Sequence, residues 1–157
     1  MQKILISSCF LGNKVRFDGK TKTLIDPQIA TWQQQGRLLV ICPETAGGLA
    51  VPRPRAELLA GNVAERVIDE LGNDVTKPFQ QGANAALALC QQQHIKYALL
   101  KEYSPSCGSS EVYDGHFQGK KIIGMGVTAK LLTASGIKVY SELTLAKLMS
   151  DIVNIEM

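Results

Sequence analysis

The sequence lacks the features that define several large classes of protein. None of its apolar runs approaches the roughly 20 residues that a membrane-spanning helix needs. The start, MQKILISSCF, is too short and too polar after Ile6 to be a secretory signal, and no small-residue cleavage site follows it. We therefore expect a cytoplasmic protein with no membrane partner.

Internal repeats, low-complexity tracts and linkers are also missing. The length of 157 residues suits one buried core, so we predict a single domain covering residues 1–157. The net charge is only +3, from 17 Lys and Arg against 14 Asp and Glu. This excess is too small to predict a polynucleotide partner, but it permits a local basic pocket for an anionic small molecule.

The four cysteines include no CxxC pair, which disfavours a thiol oxidoreductase. Disulfides are not expected in a reducing compartment, which leaves thiolate chemistry, metal binding or simple burial for these side chains. Cys90 falls on the apolar face of a predicted helix and is expected to pack in the core. The two histidines, His94 at a helix end and His116 in a hairpin turn, do not stand out as metal ligands.

Four short apolar runs predict β-strands. They are continuous rather than alternating, as expected for strands of a parallel sheet that is covered on both faces. The runs are KILISS (3–8), RLLVI (37–41), KYALLK (96–101) and the weaker GIKVYS (136–141).

Helical patterns separate these strands. Asp26 as N-cap, Pro27 at the first helical position and Gly36 at the end delimit the first helix. Because strands and helices alternate, we predict a small, doubly wound, Rossmann-like α/β domain with a mainly parallel sheet and helices on both faces. The remaining predicted helices lie at 77–94, 127–136 and 142–153.

Two segments do not fit this alternation. Asp114 and Gly115 predict a β-hairpin turn in the loop after the third strand. Residues 46–58, AGGLAVPRPRAEL, predict a long Gly/Pro loop without regular structure.

Three cysteines lie at or just beyond the ends of predicted strands. Cys9 follows the first strand, Cys42 follows the second, and Cys107 lies in the loop after the third. Because parallel strands joined by right-handed crossovers end at one edge of the sheet, we expect these thiols to converge. They are then small half-buried loop residues, an incomplete zinc site, or the ligands of a 4Fe-4S cluster with one open iron.

Polar residues near these cysteines are candidates for catalysis. Glu44 follows Cys42 in CPET and is either a general base or a glutamate of a helix cap or salt bridge. Ser104 and Ser106 flank a proline in SPSCG and either donate to a cofactor or form the turn. Gly108 is expected to leave space for a bulky cofactor.

Several cations are candidates for binding an anionic substrate. Arg53 and Arg55 in PRPRAE could hold an anionic group or belong to a solvated loop. Lys101 ends a strand that leads to the expected site. Arg16 and Asp18 in VRFDG mark either a binding loop or a turn that ends at Gly19.

Five blocks of sequence, in order, carry a resemblance to a known family. They are SSCFLGNKVRFDG, VICPETAGGLAVPRPRAEL, GNDVTKPFQQGA, LLKEYSPSCGSSEVYDGHFQG and GMGVTAKLL, and the similarity runs to about Glu142. Together they resemble the thiouracil desulfurase, or desulfidase, family of small bacterial proteins, long catalogued as a domain of unknown function. Phe10 and Phe17 stand where that family often has Leu and Tyr.

The resemblance implies a cofactor, a reaction and a set of roles. It implies a 4Fe-4S cluster held by Cys9, Cys42 and Cys107, and a non-redox replacement of a thiocarbonyl sulfur by oxygen. It also implies that Glu44 and Ser104 are catalytic. We expect a thiolated pyrimidine as substrate, either a free base or a nucleotide, with Lys101 and Arg53 binding it. The alternative is a non-catalytic protein that holds zinc or an iron–sulfur cluster.

Overall fold

A four-stranded parallel sheet forms the centre of the computed structural model, which describes residues 1–59 and 65–157. The strands are β1 (Ile4–Ser7), β2 (Leu38–Ile41), β3 (Ala56–Leu59), β4 (Arg66–Asp69), β5 (Tyr97–Leu99), β6 (Glu111–Tyr113), β7 (Lys121–Ile123) and β8 (Lys138–Tyr140). The α-helices are α1 (Pro27–Gln34), α2 (Pro43–Ala46), α3 (Thr76–Gln93), α4 (Val127–Ala134) and α5 (Leu145–Glu156).

The order of the strands creates a crevice. The sheet runs β2-β1-β5-β8, and all three pairings are parallel. After β1 the chain turns to one side to form β2, and β5 and β8 lie on the other side. The direction of winding therefore reverses between β1 and β5, which is the position at which open α/β sheets bind ligands. The predicted doubly wound sheet is confirmed.

Both faces of the sheet are covered by helices. Alternate side chains of β1 point to opposite faces, so Ile4 and Ile6 join one core and Leu5 joins another. The first core includes Ile29 and Trp32 of α1 and Leu145, Leu148 and Ile152 of α5. The second includes Ala86 and Cys90 of α3 and Ala129 and Leu132 of α4.

Local signals in the sequence set several element boundaries. The Asp26 carboxylate accepts a hydrogen bond of 2.8 Å from the Gln28 N–H, and Gly36 adopts a left-handed φ of +68°. The hairpin predicted at Asp114 and Gly115 is formed by β6 and β7. Cys90 is buried in the core as predicted.

Two predictions about structure are corrected. The loop predicted for 46–58 ends early, because Ala56–Leu59 forms β3 and pairs antiparallel with β4. The buried carboxylate of Glu57 accepts the N–H groups of Gly115 and Phe117, each at 3.1 Å, which joins β3 to the hairpin. The last α-helix begins at Leu145, because residues 142–144 form a 3-10 turn capped by the Ser141 side chain.

In the two described ranges, every helix is too short or too polar to cross a membrane.

Candidate active site

A cavity of about 390 Å³ lies beyond the carboxyl ends of β1, β2 and β5. Cys9, Cys42 and Cys107 all line it, and all three are free thiols. Cys9 belongs to a 3-10 turn that directly follows β1, Cys42 is the N-cap residue of α2, and Cys107 lies in the loop after β5. The strand ends therefore bring these cysteines to one cavity, as expected. Their role as ligands stays a prediction.

The environment of Cys9 and Cys107 favours the protonated thiol. Burial raises the pKa of Cys9 to about 11, and the charge of Arg16 opposes this shift. Burial also raises the pKa of Cys107 well above its ordinary value, and the Glu44 carboxylate raises it further. A metal cofactor would reverse this balance, because a bound metal deprotonates its thiol ligands.

The donor set fits an iron–sulfur cluster. Three thiols share a roomy cavity, and soft thiolates are the ligands that such clusters use. The fourth cysteine, Cys90, lies in the core between the sheet and helices α3 and α4 and does not line the cavity. Both histidines are exposed and lie away from it. Within residues 1–59 and 65–157, no three His, Cys, Asp or Glu side chains are placed so that they could hold one metal ion between them.

Glu44 is held in the cavity by Arg53. Glu44 lies in the first turn of α2, and its Oε1 accepts from Nε and Nη2 of Arg53 at 3.2 and 3.1 Å. The same guanidinium donates to the carbonyl oxygens of Ala50 and Val15, each at 3.0 Å. Four hydrogen bonds leave one of its five N–H groups unused among the described contacts. Arg53 therefore fixes the orientation of the Glu44 carboxylate.

Ser104 connects Glu44 to the cysteine loop. Its Oγ accepts the backbone N–H groups of Ser106 and Cys107, each at 3.0 Å. The hydroxyl proton is therefore free to point elsewhere, and it is directed at Oε2 of Glu44 at 3.4 Å. Ser106 faces the opposite way, where its hydroxyl pairs with Thr128 at 2.7 Å in the interior.

Lys101 reaches the cavity from the end of β5. Its Nζ contacts a carboxylate oxygen of Glu142 at 2.7 Å and donates to the Glu102 carbonyl at 3.0 Å. These contacts leave one of three N–H groups for another partner among the described residues. The Ser7 hydroxyl accepts the Lys101 backbone N–H at 3.0 Å and lies 3.9 Å from the Cys107 sulfur. Ser7 therefore ties β1 to β5 at the site.

Sequence reasoning missed Glu102, which organises residues 100–110, here called the β5 loop. Its buried carboxylate accepts the N–H and hydroxyl groups of both Ser109 and Ser110 at 2.7–3.2 Å. Burial alone would raise the pKa of Glu102, but these donors outweigh it and lower the pKa. The only signal in the sequence is an acid that precedes a serine-rich turn. Two aromatic side chains that line the cavity, Tyr103 and Tyr113, were also missed, whereas Phe17, which the sequence analysis names, lines it too.

The remaining candidates divide into two groups. Arg16 and Arg55 line the cavity, whereas Asp18 does not. The idea that Gly108 makes space for a cofactor is wrong. A Cβ on Gly108 would come within 2.9 Å of the carbonyl oxygens of Ser104 and Glu111, so the glycine allows the loop to approach itself.

The fold and the site together define a doubly wound α/β protein with a cysteine-lined crevice at its switch point. Comparison with known proteins specifies the family. The chain belongs to the 2-thiouracil desulfurase family, whose model matches residues 4–144.

Individual relatives agree with this assignment. The chain is 45% identical to TudS, described as a 4Fe-4S-dependent thiouracil desulfidase, over 98% of this chain and 99% of that one, with a TM-score of 0.93. It is also 38% identical to the uncharacterized protein YbbK of Bacillus subtilis (strain 168), over 88% of this chain and 95% of YbbK. The resemblance noted in the sequence is therefore confirmed.

Proposed function

We propose that this protein is an enzyme that replaces the sulfur of a thiouracil-type ring by oxygen from water and releases sulfide, without net oxidation or reduction. The observation that carries this proposal is the meeting of Cys9, Cys42 and Cys107 with the Glu44–Ser104 pair in one cavity. Membership of the 2-thiouracil desulfurase family supports the same reaction.

The three cysteines would hold a 4Fe-4S cluster. When bound through three ligands, such a cluster supplies an open iron that acts as a Lewis acid toward a soft thiocarbonyl sulfur. The pyrimidine ring would pack against the aromatic side chains of Phe17, Tyr103 and Tyr113, which offer flat apolar surfaces in the lining of the cavity.

Glu44 is the proposed general base. Arg53 occupies Oε1, so Oε2 is the oxygen that accepts a proton from the attacking water. Ser104 is the proposed positioning donor. The two N–H groups that it accepts direct its hydroxyl proton toward Oε2 and the space beside it. Water held between these groups is oriented toward the ring carbon.

Lys101 and Arg53 are the proposed substrate-binding residues. Each retains one N–H beyond its contacts with described residues, and each lines the cavity. A ring carbonyl or the phosphate of a nucleotide has the acceptors that these donors need. We propose a free thiolated base or a thiouridine monophosphate as substrate.

The setting of the reaction is also a proposal. We propose one desulfurase-type domain over residues 1–157, working in the cytoplasm. Four free cysteines and a thiolate-held cluster suit a reducing compartment.

Anaerobic reconstitution tests the proposal. We expect brown protein with iron and acid-labile sulfide, which then releases sulfide from at least one of 2-thiouracil, 4-thiouracil and their nucleoside monophosphates. Cys107→Ala should lose the cluster and the activity. Cys90→Ala is the matched control, because Cys90 is also buried but lies outside the cavity. Colourless protein with stoichiometric zinc would support the non-catalytic alternative, and an active Cys107→Ala enzyme would contradict the ligand assignment.

A further inference from the structure

Tyr103 lines the cavity, and its backbone is fixed on both sides. Its own φ is +68°, in the left-handed region. The carboxylate of Glu102, the residue before it, is buried and accepts donors from two serines of the β5 loop. The hydroxyl of Ser104, the residue after it, accepts two backbone N–H groups. Tyr103 also forms an isolated parallel bridge with Val112 of β6. The loop therefore sets the direction in which the Tyr103 side chain leaves the backbone.

Two ammonium groups lie over the Tyr103 ring. Nζ of Lys121 is 3.7 Å from the ring centroid, and Nζ of Lys101 is 5.4 Å from it. Lys101 lines the cavity, whereas Lys121 does not. Lys121 lies directly opposite Tyr113 in the β6–β7 hairpin, and its Nζ is 5.9 Å from the centroid of that ring. A cation outside the lining of the cavity thus lies over both of its tyrosine rings.

The Lys121 ammonium has these rings in place of a carboxylate. Lys130 and Lys147, which are also exposed, pair with carboxylate oxygens at 2.7 and 2.8 Å. Within residues 1–59 and 65–157, Lys121 takes part in no ion pair. Its Nζ lies well inside the roughly 6 Å over which the quadrupole of an aromatic ring attracts a cation. The cation–π contact is therefore the main interaction of this charge.

We propose that Lys121 is a positioning residue, which holds the Tyr103 ring where the pyrimidine ring of the substrate stacks. This inference rests on the proposed function and concerns the affinity of its site for the ring. Among the described residues, the Tyr103 hydroxyl has no hydrogen-bond partner, so the cations are the polar groups that orient this side chain. A base stacks well only on an aromatic ring that lies in the matching plane, so an oriented ring gives tighter binding.

A lysine at this place has another possible use, which is to bind the phosphate of a nucleotide directly. The two roles are separable, because uracil carries no phosphate and uridine monophosphate does. A lysine that acts through Tyr103 affects the binding of both compounds equally. A lysine that binds the phosphate affects the nucleotide alone.

Binding of uracil and of uridine monophosphate to the cluster-loaded protein, measured by anaerobic calorimetric titration, tests this role. We expect Lys121→Met to raise both dissociation constants about threefold, since the ring loses its cation. Lys121→Arg keeps a cation for the ring and should stay within twofold of the wild type. The control is Lys120→Met, an exposed neighbour in the same hairpin that lies over no ring of the described residues, and it should also stay within twofold.

A second variant shows whether Lys121 acts through Tyr103. Tyr103→Leu removes the stacking surface and should raise both dissociation constants about tenfold. In that background Lys121→Met should have no further effect, because the two side chains act as one unit. With a thiouracil substrate, Lys121→Met should raise KM by a larger factor than it lowers kcat, since it changes binding of the ring.

Several results would overturn the positioning role. They are equal dissociation constants in the wild type and Lys121→Met, a weakening confined to the nucleotide, and a threefold loss that persists in Tyr103→Leu. If Tyr103→Leu does not fold, the contrast between Lys121→Met and Lys121→Arg decides by the same threefold threshold. A wild type that binds uracil but releases no sulfide would count against the proposed function alone, and one that binds neither uracil nor thiouracil would contradict both proposals.

Discussion

The β5 loop (residues 100–110) and the β1 loop (residues 11–24) both line the cavity, but they are held in place differently. In the β5 loop, polar side chains bind the loop's own backbone. Glu102 accepts the backbone N–H groups of Ser109 and Ser110, and Ser104 accepts two further backbone N–H groups. Tyr103 adopts a left-handed φ of +68°, a conformation that non-glycine residues keep only where surrounding contacts impose it.

The β1 loop is held mainly through its backbone. The Lys22 N–H donates to the Cys9 carbonyl at 3.2 Å, and the Leu24 N–H donates to the Phe10 carbonyl at 2.9 Å. Its side chains are consequently available to the cavity, as Arg16 and Phe17 show. The comparison indicates a division of roles. The β5 loop positions the reactive groups, whereas the β1 loop presents hydrogen-bond donors and an aromatic side chain to a ligand in the cavity.

The largest expected effect comes from Glu44, which lies where the two loops meet through Arg53 and Ser104. Glu44→Gln keeps the shape and an acceptor for Arg53 but cannot accept a proton from water. We expect sulfide release by the cluster-loaded enzyme to fall about 10²- to 10⁴-fold at unchanged iron content. Glu65→Gln, at an exposed carboxylate paired with Lys130, is the control. A loss of less than tenfold would remove Glu44 from the role of base.

Glu102 gives the next largest effect and tests the rigidity of the β5 loop. Glu102→Gln replaces one acceptor oxygen by a donor facing the N–H and hydroxyl groups of Ser109 and Ser110. We expect the free energy of unfolding at pH 7 to fall by about 2 kcal/mol, measured by urea unfolding, because bonds to a buried charge are lost. An unchanged midpoint would show that the network is not what holds the loop.

The same variant has a distinctive pH dependence. The pKa of Glu102 is lowered in the folded protein, so its contribution is complete above the unfolded value of about 4.3 and is lost as the pH falls through the lowered pKa. The stability difference between wild type and Glu102→Gln should therefore be widest near neutral pH and narrow on acidification. A difference that widens toward low pH would contradict this assignment.

The comparison also explains which features of the molecule could be predicted from its sequence. Strand ends are predictable because a buried parallel strand is a short apolar run, and topology then brings Cys9, Cys42 and Cys107 to one edge. The Glu102 network was missed because its donors belong to a loop that folds back, which no periodicity records. The place of Arg16 in the lining of the cavity was also undecided, since the residues VRFDG suit both a binding loop and a plain turn.

The smallest predicted effect concerns a side chain of the β1 loop. The Thr21 hydroxyl donates to the Cys9 carbonyl at 2.7 Å, beside the Lys22 N–H that donates to the same oxygen. Thr21→Val keeps the shape and removes this donor, but the carbonyl retains its backbone partner. We expect urea unfolding to show a loss of about 0.5–1 kcal/mol, with iron content unchanged. A loss as large as that of Glu102→Gln would mean that side chains hold both loops equally, and the proposed division of roles would fail.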